Sequence, residues 1–379
     1  MENFDWKTTI KINLFVLRTV GLWPKDNDLY KPDLYTVYAS LAAIVIIGGH
    51  NLFQLINIFY VYNDIKALTR IIFVATTNFL AATKMYFFVR NLKMVKHLFV
   101  RLNSEQFRPK TWEQLKLVEP TLKGWKTIYG VYVTIVCSIV FMWSINPFLT
   151  GGVQQYELPF DAWYPVQITV SPNYEILYAY QLVCIWPISM GNINLDSLIF
   201  AVMMYIRTQC DILCDDLRKL EDNEAFNRKL ISCIRHHKAI LRFAQDSNNF
   251  FSVIALGQMA TSTAVLALTM FQLTFVNPVS GEGLGHLLYI TGITAQILLY
   301  CWFGNKVELK SSQIIYALYE SKWFQQPPPV KKNFLILSIR CQRPIKLTAI
   351  NLFTLSLETF IKILRSAWSY FAVLSSVNK

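Results

Sequence analysis

Seven polar side chains near the end of the chain share one stripe. Asn351, Thr354, Glu358, Lys362, Arg365, Ser369 and Ser376 follow one another at steps of 3, 4, 4, 3, 4 and 7 residues. On a helix those steps keep all seven on one face. They interrupt an otherwise apolar run, residues 347–377. As a single helix that run can cross a bilayer of about 30 Å at roughly 1.5 Å per residue. Facing lipid, each of its three charges costs roughly 2.5–3.5 kcal/mol even on lenient scales. The stripe therefore faces protein or water. One arrangement is an intrahelical ladder, because Glu358 precedes Lys362 by one turn and Arg365 follows. The other is a helix lining a water-filled path, whose chemistry is the passage of ions.

Other reactive side chains offer less. Cys210 and Cys214, with His236 and His237 further on, are types that zinc can take. Both cysteines fall in an apolar helical seam, where free cysteine behaves as a small hydrophobe, and no metal is expected. Asp211, Asp215 and Asp216 read as the solvated face of the same helix. Lys84 sits inside an apolar span, about a turn and a half from its inner end. Its stem is long enough to snorkel to the headgroups. The sequence has no Gly-rich phosphate loop, nucleophile elbow or intramembrane His-Glu cluster. Neither an enzyme nor a cofactor is indicated.

The elements that must position these residues are membrane spans. Of 379 residues, 54% are hydrophobic and 16% charged, more apolar than an ordinary globular chain. The apolar residues cluster into seven helical spans, at 34–62, 68–89, 127–149, 174–205, 250–276, 286–304 and 347–377. The fold class is therefore all-α, an integral membrane protein. Charges flank the first, internal span, so a cleaved signal peptide is not expected. Thirty of the 36 Lys and Arg lie in 1–33, 90–126, 206–249 and 305–346; the opposite connections hold only Lys66 and Lys379. By the positive-inside rule the N-terminus is cytoplasmic, and seven crossings put the C-terminus outside. The net charge of +12 thus reports topology rather than nucleic-acid binding. The orientation is opposite to that of a G-protein-coupled receptor. A secondary transporter should show inverted repeats and broken helices in both halves, and neither is found. None of the seven cysteines falls in an outer loop, so no extracellular disulfide framework is implied.

Between the spans, the N-terminal lead places Trp6, Phe15, Leu22 and Trp23 among charges. It fits an amphipathic helix on the inner surface, or a loose cytosolic segment. Residues 90–126 read as cytosolic helix continuing the second span. The third connection, 151–175, has three acids, no base and Pro159, Pro165 and Pro172. It is an ordered loop, either a lid over an outer cavity or simply packed on itself. Met203, Ile206, Cys210, Leu213, Leu217 and Leu220 recur at 3-4 spacing, and Leu230, Ile234, His237, Leu241 and Ala244 mirror them after a polar turn at 221–224. The fourth and fifth spans should thus extend as a cytosolic hairpin. Residues 305–324 extend the sixth span until Pro327-Pro328-Pro329 ends it. Segments 206–249 and 305–346 are thus expected to be cytosolic extensions of a single seven-helix unit.

Five stretches resemble the insect odorant receptor family. They are Leu158-Pro-Phe160-Asp-Ala-Trp-Tyr-Pro165, Ser171-Pro-Asn-Tyr-Glu175, Gln209-Cys-Asp-Ile-Leu-Cys-Asp215 with Leu217, Tyr300-Cys-Trp-Phe-Gly-Asn305, and the run from Leu355 through Leu374. The resemblance implies an odour-gated, non-selective cation channel in the plasma membrane of olfactory neuron dendrites. It is built as a hetero-oligomer with the co-receptor Orco, and the last helix of each subunit lines the pore. The co-receptor carries a longer insert between spans four and five, so a tuning subunit is implied here. Gustatory receptors are also similar, but Ser369-Tyr370-Phe371 departs from their Thr-Tyr-x5-Gln-Phe ending.

A volatile ligand has few polar atoms, so its site should be apolar and aromatic. Phe73, Thr76, Thr77, Val136, Ile139, Trp143, Tyr178, Leu182 and Tyr289 stand in the outer halves of their helices at facing intervals and are the expected ligand contacts. The resemblance puts a hydrophobic constriction at Val373 and Val377 and a polar filter at Ser376.

Overall fold

The computed structural model describes residues 5–25, 29–221 and 225–377, the side chain of Val377 excepted. Asp222, Asn223 and Glu224 of the expected polar turn, and Lys379, lie outside the described residues.

The bundle is assembled around one helix, α7 (Asn173–Arg218). Its most apolar stretch is 89% buried, against 22% for the corresponding stretches of the first and third spans. A helix that is apolar on all sides finds its lowest free energy surrounded by other helices. Around it stand α4 (Ile65–Arg90), α6 (Trp112–Leu149), α8 (Phe226–Leu273) and α9 (Gly281–Ser312). The first span is α2 (Leu34–Leu41) and α3 (His50–Tyr60) joined by a π-helical stretch, Ala42–Gly49, against which Tyr180 of α7 donates a hydrogen bond to the Val45 carbonyl at 3.0 Å. Among the described residues six helical segments are long and apolar enough to cross a membrane. The final helix, α12 (Leu357–Val377), has 21 residues and carries Glu358, Lys362 and Arg365. The chain is a helical membrane protein, with one short strand pairing as the exception.

The described part of the N-terminal lead is helical and docks on the bundle. Trp6, Ile10 and Leu17, from a 3-10 turn and α1 (Lys11–Thr19), are buried, and Ile12 and Phe15 are exposed. Asn13 donates to the Asn194 carbonyl of α7 at 2.8 Å.

The expected α7–α8 hairpin is present. Met203, Ile206, Cys210, Leu213, Leu217 and Leu220 are all buried along its seam. A short α10 (Ile314–Tyr319) prolongs α9, and α11 (Pro328–Cys341) begins with two prolines in its first turn, where no N–H is missed. Asp211, Asp215 and Asp216 do more than face solvent. They pair with Lys310, Lys219 and Lys110 at 2.9, 2.9 and 2.7 Å, linking α7 to α9 and to the segment before α6.

Two expectations fail locally. Residues 90–126 do not continue the second span as one helix: α4 ends at Arg90, Asn91 interrupts the helix, and α5 (Leu92–Leu102) follows. The rest belongs to α6, which starts at Trp112 under a Thr111 cap. Nor is 347–377 one helix. Thr348–Ala349 and Phe353–Thr354 pair antiparallel as β1 and β2, with Thr348 opposite Thr354. Ile350 and Asn351 turn the chain at φ 48° and 55°, the left-handed values of a tight hairpin turn. Asn248 of α8 holds Thr348 through bonds of 2.8 and 3.3 Å. Ser356 then accepts from the Thr359 amide and starts α12. Asn351 and Thr354 therefore leave the polar stripe, which begins at Glu358. At Gly304 of α9 a β-carbon would lie 2.3 Å from the Leu355 carbonyl, so only glycine lets α9 meet this junction.

Candidate functional site

Four helices diverge enough beneath the 151–172 loop to leave a chamber of about 100 Å³. Val74, Thr77 and Asn78 face it from α4, and Tyr132, Val136, Ile139, Val140 and Trp143 from α6. On α7 the contributors are Ile185, Ser189, Asn192 and Ile193, a helical i, i+4, i+7, i+8 set. Tyr289, Gly292, Ile293 and Gln296 complete the wall from α9. A side chain at Gly292 would strike Ile139, its β-carbon 2.5 Å from the Ile139 Cδ1 atom.

The loop supplies the roof. Phe160 stacks on Trp143 with ring centres 6.1 Å apart. Its backbone is fixed by buried Gln181 of α7: the Phe160 amide donates to Gln181 Oε1 at 3.0 Å, and Gln181 Nε2 donates to the Phe160 carbonyl at 2.7 Å. Asp161 pairs with Arg70 of α4 at 2.6 Å. Trp163 donates its amide to the Phe53 carbonyl and stacks on Tyr60. Above the roof lies a wider, polar vestibule of about 580 Å³, lined among others by Arg70, Glu157, Asp161 and Glu282. Val74, Trp143 and Phe160 line both spaces and stand between vestibule and chamber.

The floor is polar. Lys84 does not snorkel; its side chain is 1% exposed and donates to Asp196 at 2.8 Å and to Asn192 Oδ1 at 3.0 Å. Asp196, fully buried, also accepts from Tyr300 at 2.6 Å and from Gln296. Gln258 in turn donates to Gln296 Oε1 at 2.9 Å. An ion pair is sustained in so apolar a place only when the remaining lone pairs and protons are satisfied this way.

Of the nine expected ligand contacts, Thr77, Val136, Ile139, Trp143 and Tyr289 line the chamber together. The Thr77 and Tyr289 hydroxyls share a hydrogen bond of 2.6 Å. Phe73 stands one turn behind the wall, packed edge-on against Trp143, His286 and Tyr289. Thr76 and Leu182 do not reach the chamber. Tyr178 points elsewhere: its hydroxyl donates to the Ser144 carbonyl at 2.5 Å, and its ring meets Phe148 and Tyr174. The other twelve lining residues were not among the expected contacts, Phe160, Ser189, Asn192 and Gln296 included. Polar residues at helical spacing with aliphatic ones, as in Ile185, Ser189 and Asn192, were the available signal.

On α12, Thr359, Ile363 and Ala367 are buried against the bundle, and Glu358, Lys362, Arg365, Ser369 and Ser376 are exposed. Val373 is 58% exposed, and the Ser376 hydroxyl donates to its carbonyl at 2.7 Å. The helix ends at Val377, whose side chain lies outside the described residues.

A family profile described as 7tm Odorant receptor matches residues 64–368. The chain is similar to odorant receptor Or1 of Anopheles gambiae, with 24% identity over 100% of this chain and 97% of that one. Odorant receptor 46a, isoform A, of Drosophila melanogaster is 22% identical over 96% of each. In fold, the insect olfactory receptor OR5 from Machilis hrabei, solved in complex with eugenol, superposes with a TM-score of 0.87 at 19% identity, covering 98% of both chains.

Proposed function

The chain belongs to the 7tm odorant receptor family, and from that premise we propose that it is the tuning subunit of an odour-gated cation channel formed with the co-receptor Orco. The observation that carries the reading is the chamber. It is small, roofed by stacked aromatics and walled largely by aliphatic and aromatic side chains, the surroundings a volatile molecule of about ten heavy atoms needs. The ligand reaches the chamber by displacing Phe160 or Trp143 from the vestibule side, or laterally from lipid. Thr77, Val136, Ile139, Trp143 and Tyr289 are its direct contacts, and Phe73 sets the pose of Trp143 and Tyr289 from behind.

Binding opens the channel only if the ligand favours the open arrangement over the closed one. A mechanical route exists: α9 lines the chamber with Tyr289 and Gln296 and, about two turns beyond Gln296, packs at Gly304 against Leu355, just before α12. The exposed polar face of α12 supports a role as pore wall, shared with neighbouring subunits. In that role Val373 and Val377 form the constriction that stops ions by dewetting, and Ser376 is the polar position beside it. The charge bias puts the N-terminus and the α7–α8 hairpin in the cytosol, where residues 206–249 and 305–346 form the anchor between subunits. The expected location is the dendritic plasma membrane of olfactory sensory neurons.

The test is electrophysiology of the chain with and without Orco against an odour panel. Ligand-evoked cation current is expected with Orco. Trp143→Ala should move the dose–response curve of every active odour at unchanged surface expression. Absence of evoked current with Orco, or curves that ignore Trp143, Val136 and Tyr289 substitutions, removes the reading. An epitope tag after Lys379 should be labelled on intact cells and one before Met1 should not.

A further inference from the structure

We propose that the chamber floor is a hydrogen-bond donor subsite, and that the receptor is tuned to volatiles carrying a hydrogen-bond-accepting oxygen, such as ketones, aldehydes and esters, rather than to hydrocarbons or amines. This deepens the proposed function and rests on the chamber being the odorant site.

The direction of the Asn192 amide is dictated by its neighbour. A lysine ammonium has only donors, so the atom facing Lys84 at 3.0 Å must be Oδ1. That leaves Nδ2, with two protons, as the end of Asn192 available to the chamber it lines. Nδ2 has no protein partner among the described residues. The Ser189 hydroxyl, one turn earlier on the same face of α7, likewise lines the chamber without one. Lys84 also strengthens the subsite. A cation donating to Oδ1 draws density from the amide and makes the Nδ2 protons better donors, the mutual polarisation expected of hydrogen-bond chains in a low-dielectric interior.

The charged acceptor beneath the floor and its amide neighbour are, by contrast, occupied. Asp196 takes hydrogen bonds from Lys84, Tyr300 and Gln296, and Gln296 Oε1 takes one from Gln258. The pair Lys84–Asp196 is neutral overall. A protonated amine entering the chamber therefore finds its charge unpaired, the costliest situation for a buried group. A hydrocarbon leaves the donors of Asn192 and Ser189 unmade, also at a cost. A carbonyl oxygen answers both, with its alkyl body lying upward against Val136, Ile139 and Trp143. A site built to hydrogen-bond a ligand rejects the analogue lacking that atom more firmly than an apolar site rejects an extra one.

The experiment uses the full chain with Orco in oocytes and a panel of matched C6–C10 ketones, esters, alkanes and alkylamines. In the wild type, ketones or esters should act at concentrations at least about 10-fold below alkanes of equal carbon number, equivalent to about 1.4 kcal/mol. Alkylamines should be inactive. Asn192→Leu should erase that gap by weakening the oxygenated odours alone. Ser189→Ala, which leaves the Lys84 contact intact, should narrow it about threefold. Surface labelling reads folding in both. Alkanes or amines that match the ketones, or no oxygenated member evoking current, overturn the proposal, as does an Asn192→Leu receptor at normal surface density that keeps the wild-type gap. Trp143→Ala separates the two readings. If it moves every active odour and Asn192→Leu moves none selectively, only the donor floor falls. If Trp143→Ala moves nothing, the chamber itself is not the odorant site.

Discussion

Two sets of charged side chains sit on apolar helices, and they are accommodated in opposite ways. Lys84 and Asp196 are sealed inside the bundle, 1% and 0% exposed, with Asn192, Gln296 and Tyr300 completing their hydrogen bonds. Glu358 and Lys362 pair at 2.6 Å on the open side of α12, with side chains 76% and 68% exposed, and Arg365 stands a turn beyond. The first set is finished within one chain. The second is not: in a membrane its open side must meet water or another subunit, since lipid would charge several kcal/mol for it. Under the proposed function, one subunit encloses its own chamber but supplies only part of a conducting path, so that ligand recognition belongs to the single chain and conduction to the assembly.

The largest effect should come from breaking the enclosed set. Asp196→Leu leaves Lys84 charged, buried and without its main acceptor, a change that costs about 3–5 kcal/mol in comparable buried pairs. Surface receptor should fall nearly to background. The double variant Lys84→Met with Asp196→Leu should recover much of it, because removing both charges removes the unpaired one. Surface biotinylation reads both. Normal surface levels of the single variant would mean that water reaches Lys84, and the contrast between the two sets would shrink.

Leu217→Asp ranks next. Leu217 is fully buried in the α7–α8 seam of one chain, so an unpaired carboxylate there costs several kcal/mol. Complex formation with Orco should be lost, as co-purification will read. If the complex survives, the seam is not what holds the anchor in shape.

How much of this was legible follows the same division. Long-period patterns carried the spans and the hairpin seam, because hydrophobic spacing reports which face is buried whatever the partner. The stripe from Glu358 to Ser376 was legible for the same reason. Pairings across the bundle were not. Nothing in the run around Lys84 names Asp196, 112 residues away, so a lone lysine near a span end read as snorkelling. Phe160 was visible in a loop motif of the family resemblance, but its docking on Trp143 depends on Gln181, which the linear pattern does not single out. The 347–356 segment was misread because an apolar run without Gly or Pro looks helical. Its strands are imposed from outside, by Asn248 on Thr348, and by an Ile350-Asn351 turn in left-handed geometry that β-branched Ile350 rarely adopts.

A smaller effect is expected at the far end of α12. Val373→Ser should raise unliganded current several-fold by wetting the constriction, and Ser376→Glu should raise relative calcium permeability. In the proposed assembly, where Orco subunits contribute the other pore walls, both effects should be partial. Single-channel recording and reversal potentials under calcium substitution read them. Unchanged basal current and permeability at normal surface expression would make these residues part of the lipid-facing side of α12.

The smallest effect on stability, and the one that sharpens the comparison most, concerns the open set. Exchanging the two charges, Glu358→Lys with Lys362→Glu, keeps an i, i+4 pair of opposite sign on an exposed face. Surface expression and assembly should not change measurably, since exposed pairs of this kind contribute little. An ion moving along the α12 stripe, however, passes the two charges in reversed order. If the stripe lines the path, single-channel conductance or rectification shifts by tens of per cent while the dose–response midpoint stays put. If it lies against another subunit, assembly fails instead, because the partner's groups no longer match. If neither changes, the stripe faces bulk water clear of the ion path. The outcome therefore decides what completes α12, a question that the sealed Lys84–Asp196 pair never poses.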